Sequence, residues 1–479
     1  MNSRKSIVFI IVLSGISLSV FAQDKWDLRK CVEYALLNNI TVKQQDVQAL
    51  ITELTLKQSK LSQYPTLNFS GNSGYSAGRN QDPTNFSLIT QGFIFSQYTL
   101  QASVDVFNWF RKKSTIAADE LNYKAAKASV DKLKNDIAFN VAAAYLQALL
   151  TNEQVELTKV QISQTQAQLT NTRKLVEAGS LPELNAAELE AQLARDSSNY
   201  FNAKAAYENS IIFLKANLSL DMSVAFDIDK PNINAIPLDN IADLQPDAVY
   251  ELAIKNQPQQ LVNQYKIASA KKSIEATARG SRFPNISIFG SLGTSFNSRG
   301  TDIRSIEQVN NPIGKVNVSG TDYSVFPLSP RNVAITGKTA YFTQIDNNFR
   351  QSIGVAISIP ILSGGTLKTS RERTKLDLTN FQLQKEADDL KLKQDIYKAY
   401  TDAVNAIAKY NANVKTLATA KRSFELAGKR YDLGLLNTIE YVTSQNNVFK
   451  AQIDLLYSQY DYVFKIKVLE FYKGQGLRL

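Results

Sequence analysis

The heptapeptide Glu33-Tyr34-Ala35-Leu36-Leu37-Asn38-Asn39 returns 218 residues later as Glu251-Leu252-Ala253-Ile254-Lys255-Asn256-Gln257. Tyr64-Pro65 returns as Phe283-Pro284 at an offset of 219. Ala144-Tyr145 and Gly179 return as Ala399-Tyr400 and Gly434 at 255. A chain that carries the same ordered signals twice folds as two copies of one unit. The step in offset from 219 to 255 requires an insertion in the second half, within 297–350.

Each half opens with a helical pattern of about 35 residues, in which Leu28, Val32, Ala35 and Leu36 keep the three-and-four spacing of an amphipathic helix. Pro65 and Pro284 end that pattern, because the residue before proline disfavours the helical conformation. Strict alternation follows. Leu67, Phe69, Gly71, Ser73 and Tyr75 share one face, and Tyr98, Leu100, Ala102, Val104 and Val106 another. In the second half the alternating sets are Ile286, Ile288, Gly290, Leu292 and Phe296, then Ile353, Val355, Ile357, Ile359 and Ile361. The residues between them are small and hydroxyl-rich, with few charges. Four segments of about ten residues with one apolar and one small polar face have the pattern of transmembrane barrel strands. An ordinary two-sheet sandwich also alternates, but its strands do not come as isolated pairs between very long helices.

Residues 113–177 contain neither proline nor glycine, and 367–429 repeat that pattern with only Gly428 near the end. At 1.5 Å per residue each is a helix of about 95–100 Å, with the apolar spacing of coiled-coil or helical-barrel helices. Each turns at a glycine, Gly179 or Gly434, and returns as a shorter helix over about 182–217 and 437–472. The division expected is a signal peptide at 1–22, a first repeat at 23–218, a linker at 219–245 and a second repeat at 246–479. Arg4 and Lys5, the apolar run Ile7 to Val20 and the small-x-small Val20-Phe21-Ala22 carry the signal reading.

Composition excludes several kinds of function. Histidine is absent, which removes His-based acid–base catalysis, the common triads and most zinc sites. The net charge of +10 is spread along helical patterns, which reads as solvated helix faces and not as a nucleic-acid surface. Cys31 stands alone on the stripe with Leu28, Ala35 and Leu36, has no lipobox before it, and reads as a small buried side chain. No phosphate-cradling glycine loop, nucleophile–base pair or paired catalytic carboxylates stand out. The chain is expected to have no catalytic residue, no cofactor and no metal.

Four strands cannot close a barrel, and an open strand edge in lipid costs several kcal/mol per unpaired backbone group. A helix of about 100 Å likewise finds few neighbours within one chain to cover its apolar stripe. A cyclic oligomer answers both problems. The duplicated helix starts at Glu33 and Glu251, the Tyr64-Pro65 and Phe283-Pro284 strand starts, the Ile359-Pro360-Ile361-Leu362-Ser363-Gly364-Gly365 strand exit and the two glycine turns resemble the TolC-type family of outer-membrane efflux proteins over nearly the whole mature length. The resemblance implies an α+β membrane fold: a long α-helical barrel of coiled-coil hairpins in the periplasm, and a transmembrane β-barrel of four strands per chain completed by a homotrimer. It also implies a passive exit duct in the outer membrane, working with a periplasmic adaptor protein and an inner-membrane transporter in efflux or type I secretion. The competing reading from another class is a periplasmic or surface coiled-coil scaffold or adhesin without a pore.

Two groups of residues follow. The turns Gly179-Ser180-Leu181 and Gly434-Leu435-Leu436 each place glycine after a helix and leucines at a tip. Any helical hairpin needs such a turn, while an apolar tip is also a partner surface, and the resemblance makes it the adaptor-docking end. Ser180 to Glu183 and Asn437 to Glu440 have capping-box spacing. The resemblance further places Glu440 in a carboxylate ring at the periplasmic gate and Tyr431 in the closed-state network. Glu440 as a capping carboxylate is the structural alternative. The chain departs from the family pattern at Thr443, where a second acid is often found, and at Leu436, where a gating arginine can sit. Asn185 is the first-half counterpart of Glu440. A complete gating salt-bridge network is therefore not carried over. The insertion at 297–350 is expected to be a long external loop.

Overall fold

The structure is a computed structural model and describes residues 25–81, 87–231, 233 and 236–474; the expected signal peptide lies outside the described residues. It divides into two compact units. One comprises residues up to Leu54, Glu120–Ser269 and the chain from Asp377 onward; the other comprises Thr55–Asp119 and Ala270–Leu376.

The first half contains α1 (Leu28–Asn38), α2 (Ile40–Leu61), β1 (Thr66–Gln81), β2 (Leu88–Phe107), α3 (Arg111–Glu177) and α4 (Glu183–Leu218). The second half contains α5 (Pro246–Asn256), α6 (Pro258–Arg282), β3 (Asn285–Asn297), an insertion, β8 (Arg350–Ser358), α8 (Thr366–Asp432) and α9 (Thr438–Lys473). The opening helix of each half, expected to be continuous, is broken at Asn39 and at Gln257. Asn39 leaves the helical conformation, and its side-chain oxygen accepts hydrogen bonds from the Thr41 and Val42 amides, restarting the helix. In the second half Pro258, which lacks an amide proton, starts the new helix and holds Gln257 extended.

In the helical unit, α1, α3, α4, α5, α8 and α9 enclose two matching cores. Val141, Ala144, Ala148 and Leu214 are buried in the first, and Ile396, Ala399, Ala403 and Leu469, each 255 positions on, are buried in the second. Ala35 and Ala253 match at 218, as do Cys31 and Val249. Each fully buried Leu or Ile contributes about 1.5–3 kcal/mol. The Tyr145 hydroxyl donates to the Asp229 carbonyl at 2.7 Å, tying the linker to the first core.

The linker is pinned at several of its described residues. Trp26 and Ile228 form a parallel bridge, with the Trp26 amide donating to the Asp227 carbonyl and the Asp229 amide to the Trp26 carbonyl. The buried Lys215 ammonium donates to the carbonyls of Met222 and Val224. At the other end, Lys467 and Glu470 form a 2.8 Å ion pair with side chains only 3% and 6% exposed. Lys467 also donates to the Pro237 carbonyl, and Glu470 accepts from the Asp239 amide. Each buried charge thus has a counter-charge or carbonyls to replace its lost water.

In the second unit β1, β2, β3 and β8 form one antiparallel sheet in that order. The register places Leu67, Ala102, Gly290 and Ile353 in one cross-strand row, and Val104, Ile288 and Val355 in another. The apolar sets read from the sequence therefore lie on one face of the sheet, except that a bulge after Asp105 puts Phe107 in place of Val106 beside Ile286, and that Ile359 and Ile361 fall beyond the end of β8. That face is uncovered over much of its area, with Ile353 85% exposed. The opposite face carries a hydroxyl ladder, including Thr66 with Ser103 at 3.1 Å and Ser291 with Ser352 at 2.9 Å, with Phe289 among the small residues. The outer edges of β1 and β8 have no strand partner among the described residues.

The insertion is more ordered than a loop. β4 (Thr301–Val309) pairs with β7 (Arg331–Lys338), and β5 (Gly314–Val318) with β6 (Thr321–Val325), as two ribbons. Their alternating valines and isoleucines supply strand propensity that its prolines, at 312, 327 and 330, confine to the connections. α7 (Tyr341–Asn347) then lies on β3, with the Tyr341 hydroxyl 3.1 Å from that of Tyr98.

Candidate functional site

The two helical turns are built identically. Gly179 and Gly434 have φ of 70° and 71°, the left-handed conformation that glycine adopts without a side-chain clash. The Gly179 amide donates to the Val176 carbonyl and the Ser180 amide to that of Leu175, both at 2.9 Å. The Gly434 amide donates to Tyr431 at 2.9 Å and the Leu435 amide to Arg430 at 2.8 Å. This pair of reversed hydrogen bonds is the Schellman motif, which satisfies the last carbonyls of each helix.

The restarts after the turns differ. Asn437 caps α9, its side-chain oxygen accepting from the Glu440 amide at 2.8 Å, while its amide group donates to the Glu440 carboxylate at 3.2 Å. In the first half the cap position falls on Pro182, which makes no side-chain capping bond. The capping box expected from Ser180 to Glu183 is not formed. Pro182 stands where the second half has the capping Asn437 and offers no side-chain acceptor, and the helix starts at Glu183, two residues beyond the start that Ser180 as cap would need.

The leucines are also rearranged. Leu435 is exposed, but Leu181 and Leu436, expected at the exposed tip, are half-buried. Both precede a cap residue, the position from which a side chain turns toward the fourth residue of the helix, here Ala186 and Tyr441. Leu184, Leu433 and Ile439 are exposed in their place.

Tyr431 and Glu440 lie on the two sides of the second turn. The Tyr431 ring stacks on Tyr441 at 4.6 Å, and its hydroxyl is 3.4 Å from that of Thr438. Burial, followed by the nearby Asp432 charge, raises the pKa of Tyr441. Glu440 is exposed, and among the described residues the only side chain that bonds its carboxylate is Asn437, which leaves carboxylate valence toward solvent.

Behind the turns a buried polar layer joins the hairpins. The Asp196 carboxylate, 2% exposed, accepts from Thr165 at 2.6 Å and from Gln192 at 2.7 Å. Gln192 in turn exchanges hydrogen bonds with Asn446 of α9 at 3.1 and 3.3 Å. Leu169, Ala186, Leu189 and Val442 form the apolar cluster beside it. Sequence reading missed this layer, because polar residues on a long helix default to solvent. The usable signal was hairpin geometry: equal steps back from Gly179 and forward from Pro182 bring Thr165 opposite Asp196. Glu440, Tyr431 and the second turn are brought together; the Ser180 side chain is not brought into any cap.

Comparisons with known proteins agree with this architecture. The sequence matches the family described as "Outer membrane efflux protein" over residues 32–218 and 249–470. It is 22% identical to toxin and drug export protein A of Aggregatibacter actinomycetemcomitans, over 91% of this chain and 83% of that protein. It is 20% identical to outer membrane protein TolC of Vibrio cholerae, over 85% of this chain and 81% of that protein. Its fold is like that of the Campylobacter jejuni CmeC outer membrane channel, with a TM-score of 0.73 at 17% identity, covering 94% and 86% of the two chains. Paired long helices turning at glycine, a duplicated core, and a sheet with one apolar face thus meet in a single assignment: the chain belongs to the outer membrane efflux protein family.

Proposed function

We propose that the chain is the outer-membrane exit duct of a tripartite efflux or type I secretion system, a passive conduit whose transport energy comes from an inner-membrane transporter through a periplasmic adaptor. Family members are channels of the outer membrane and not enzymes. The observation that carries the reading is the single uncovered apolar face of the four-stranded sheet between two open edges. From Tyr98 to Phe107 that face runs nine residue steps, about 30 Å at 3.3 Å per residue. A strand tilt of about 40° makes this about 23 Å of height, close to the apolar band of about 25 Å in outer-membrane barrels. One chain leaves both edges open in lipid, and three chains joining β8 to β1 would close a twelve-stranded barrel. The two halves, 23–218 and 246–479 joined by 219–245, then supply the wall of a helical tunnel in the periplasm.

In this assembly the turns are the adaptor-docking tips, with Gly179, Ser180, Leu181, Gly434, Leu435 and Leu436 forming the turns and Leu184, Leu433 and Ile439 the exposed apolar surface around them. Glu440 serves as both cap partner and gate carboxylate, with Tyr431 packed beside it. Three such carboxylates around an axis favour cations. Planar-bilayer recording tests both levels. Absence of conductance, with the protein recovered in the soluble fraction, overturns the channel. Glu440→Gln is expected to lower cation preference severalfold, and unchanged selectivity in single-channel recordings retires the gate assignment.

A further inference from the structure

The strand-to-helix junctions of the two halves correspond at an offset of 255: Trp109-Phe110 in the first and Gly364-Gly365 in the second. All four residues have positive φ, 53°, 63°, 57° and 84°. Glycine takes this conformation freely, whereas a bulky aromatic residue is strained in it. Two large aromatics held where the other half uses glycine point to a task for their side chains. That task is not core packing, since Trp109 and Phe110 are 37% and 57% exposed. Trp109 stacks on the exposed Phe283 at 4.9 Å and meets Phe107 at 5.0 Å, so strand β2 ends in an aromatic cluster.

Four of the cations near this cluster differ in what they bind. Lys112 binds Asp105 at 3.1 Å and the Ser62 carbonyl, and Arg279 binds the Ser114 hydroxyl at 2.8 Å and the Phe110 carbonyl. These two hold the junction together. Lys113, on the first turn after Phe110, and Arg282, next to Phe283, are exposed and make no side-chain hydrogen bond or ion pair among the described residues. The nearby Asp105 carboxylate is already held by Lys112 and by Asn285 at 3.0 Å. Two uncompensated cations therefore flank amphipathic rings at the helix-side end of the apolar sheet face.

We propose that Trp109, Phe110, Phe283, Lys113 and Arg282 form a binding site for the phosphate headgroup of an anionic phospholipid, in the membrane leaflet at that end of the sheet. The proposal rests on the reading that the apolar face meets lipid. The rings settle at the boundary between acyl chains and headgroups, and the two cations meet the phosphate there by charge-assisted hydrogen bonds. In the second half Lys368 stands at the position of Lys113, but Gly364-Gly365 provides no rings, so the site is built once per chain.

The chain has two tryptophans, so Trp26→Phe leaves Trp109 as the sole tryptophan, excited selectively over the tyrosines at the red edge of the absorption band. This protein is reconstituted, full length, in phosphatidylcholine bilayers containing either brominated phosphatidylglycerol or brominated phosphatidylcholine at equal mole fraction. Bromine quenching of Trp109 is expected to show a preference for the anionic lipid of about fivefold for each cation, lost in Lys113→Gln/Arg282→Gln and retained in excess inorganic phosphate. Equal quenching by both lipids in a protein that still conducts overturns the site alone, as does full competition by inorganic phosphate. No quenching by either lipid, together with no conductance, overturns the membrane reading beneath it.

Discussion

Cys31 and Val249 occupy the same place in the two cores, and the difference between them has a measurable consequence. Burial pushes the Cys31 thiol up to about 12, from an ordinary value near 9. Between those values the unfolded chain has lost a proton that the folded chain keeps, so stability falls as pH rises above about 9. Cys31→Val should leave stability at pH 7 nearly unchanged and flatten the decline of melting temperature between pH 9 and 11. The same burial predicts that a thiol reagent at pH 8 labels Cys31 only after unfolding. The burial of Cys31 was readable from its stripe with Leu28 and Ala35. The burial of Lys467 and Glu470 was not, because their partners lie in the linker some 230 positions away. Lys467→Met alone should cost about 3–5 kcal/mol in chemical unfolding by leaving Glu470 buried and unpaired, while Lys467→Met/Glu470→Leu should regain most of it.

Among elements, the long helices and the alternating strands were legible because both depend on periodicity that neither proline nor glycine interrupts. Breaks set by one side chain, as at Asn39, and a cap lost to one substituted residue, as at Pro182 where the second half has Asn437, were not. The turns make the contrast testable. Asn437→Ala should cost about 1 kcal/mol through loss of its bond to the Glu440 amide, whereas Ser180→Ala, which removes no cap, should be neutral. Hydrogen exchange at the first turns of α9 and α4 would read both, and equal protection loss at the two helices would contradict the asymmetry. The leucines at these turns carry the same lesson: the spacing told which residues lie near the tip, and the turn geometry decided that Leu433 and Leu435 face out while Leu181 and Leu436 turn in.

For the molecule as a whole, the repeat offsets were enough to foresee an insertion in the second half but not its ribbons, since sequence periodicity does not say which short strands pair. The insertion springs from a narrow neck, where the Thr339 amide donates to the Gly300 carbonyl at 3.1 Å. Excising 301–338 and linking Gly300 to Thr339 should therefore leave the four-stranded sheet, the oligomer and single-channel conductance intact. Loss of the oligomer on gel filtration would mean that the ribbons hold neighbouring chains together. The linker has the opposite character. Lys215 fastens its beginning to the first half, and Lys467 with Glu470 fastens its end to the second, so each end stays on its own half if the chain is cut between them. A gene broken within that stretch, with the downstream piece given a signal peptide of its own, is expected to supply two products that reunite after export much as subunits do, since each of the two matching cores is built mainly from its own half.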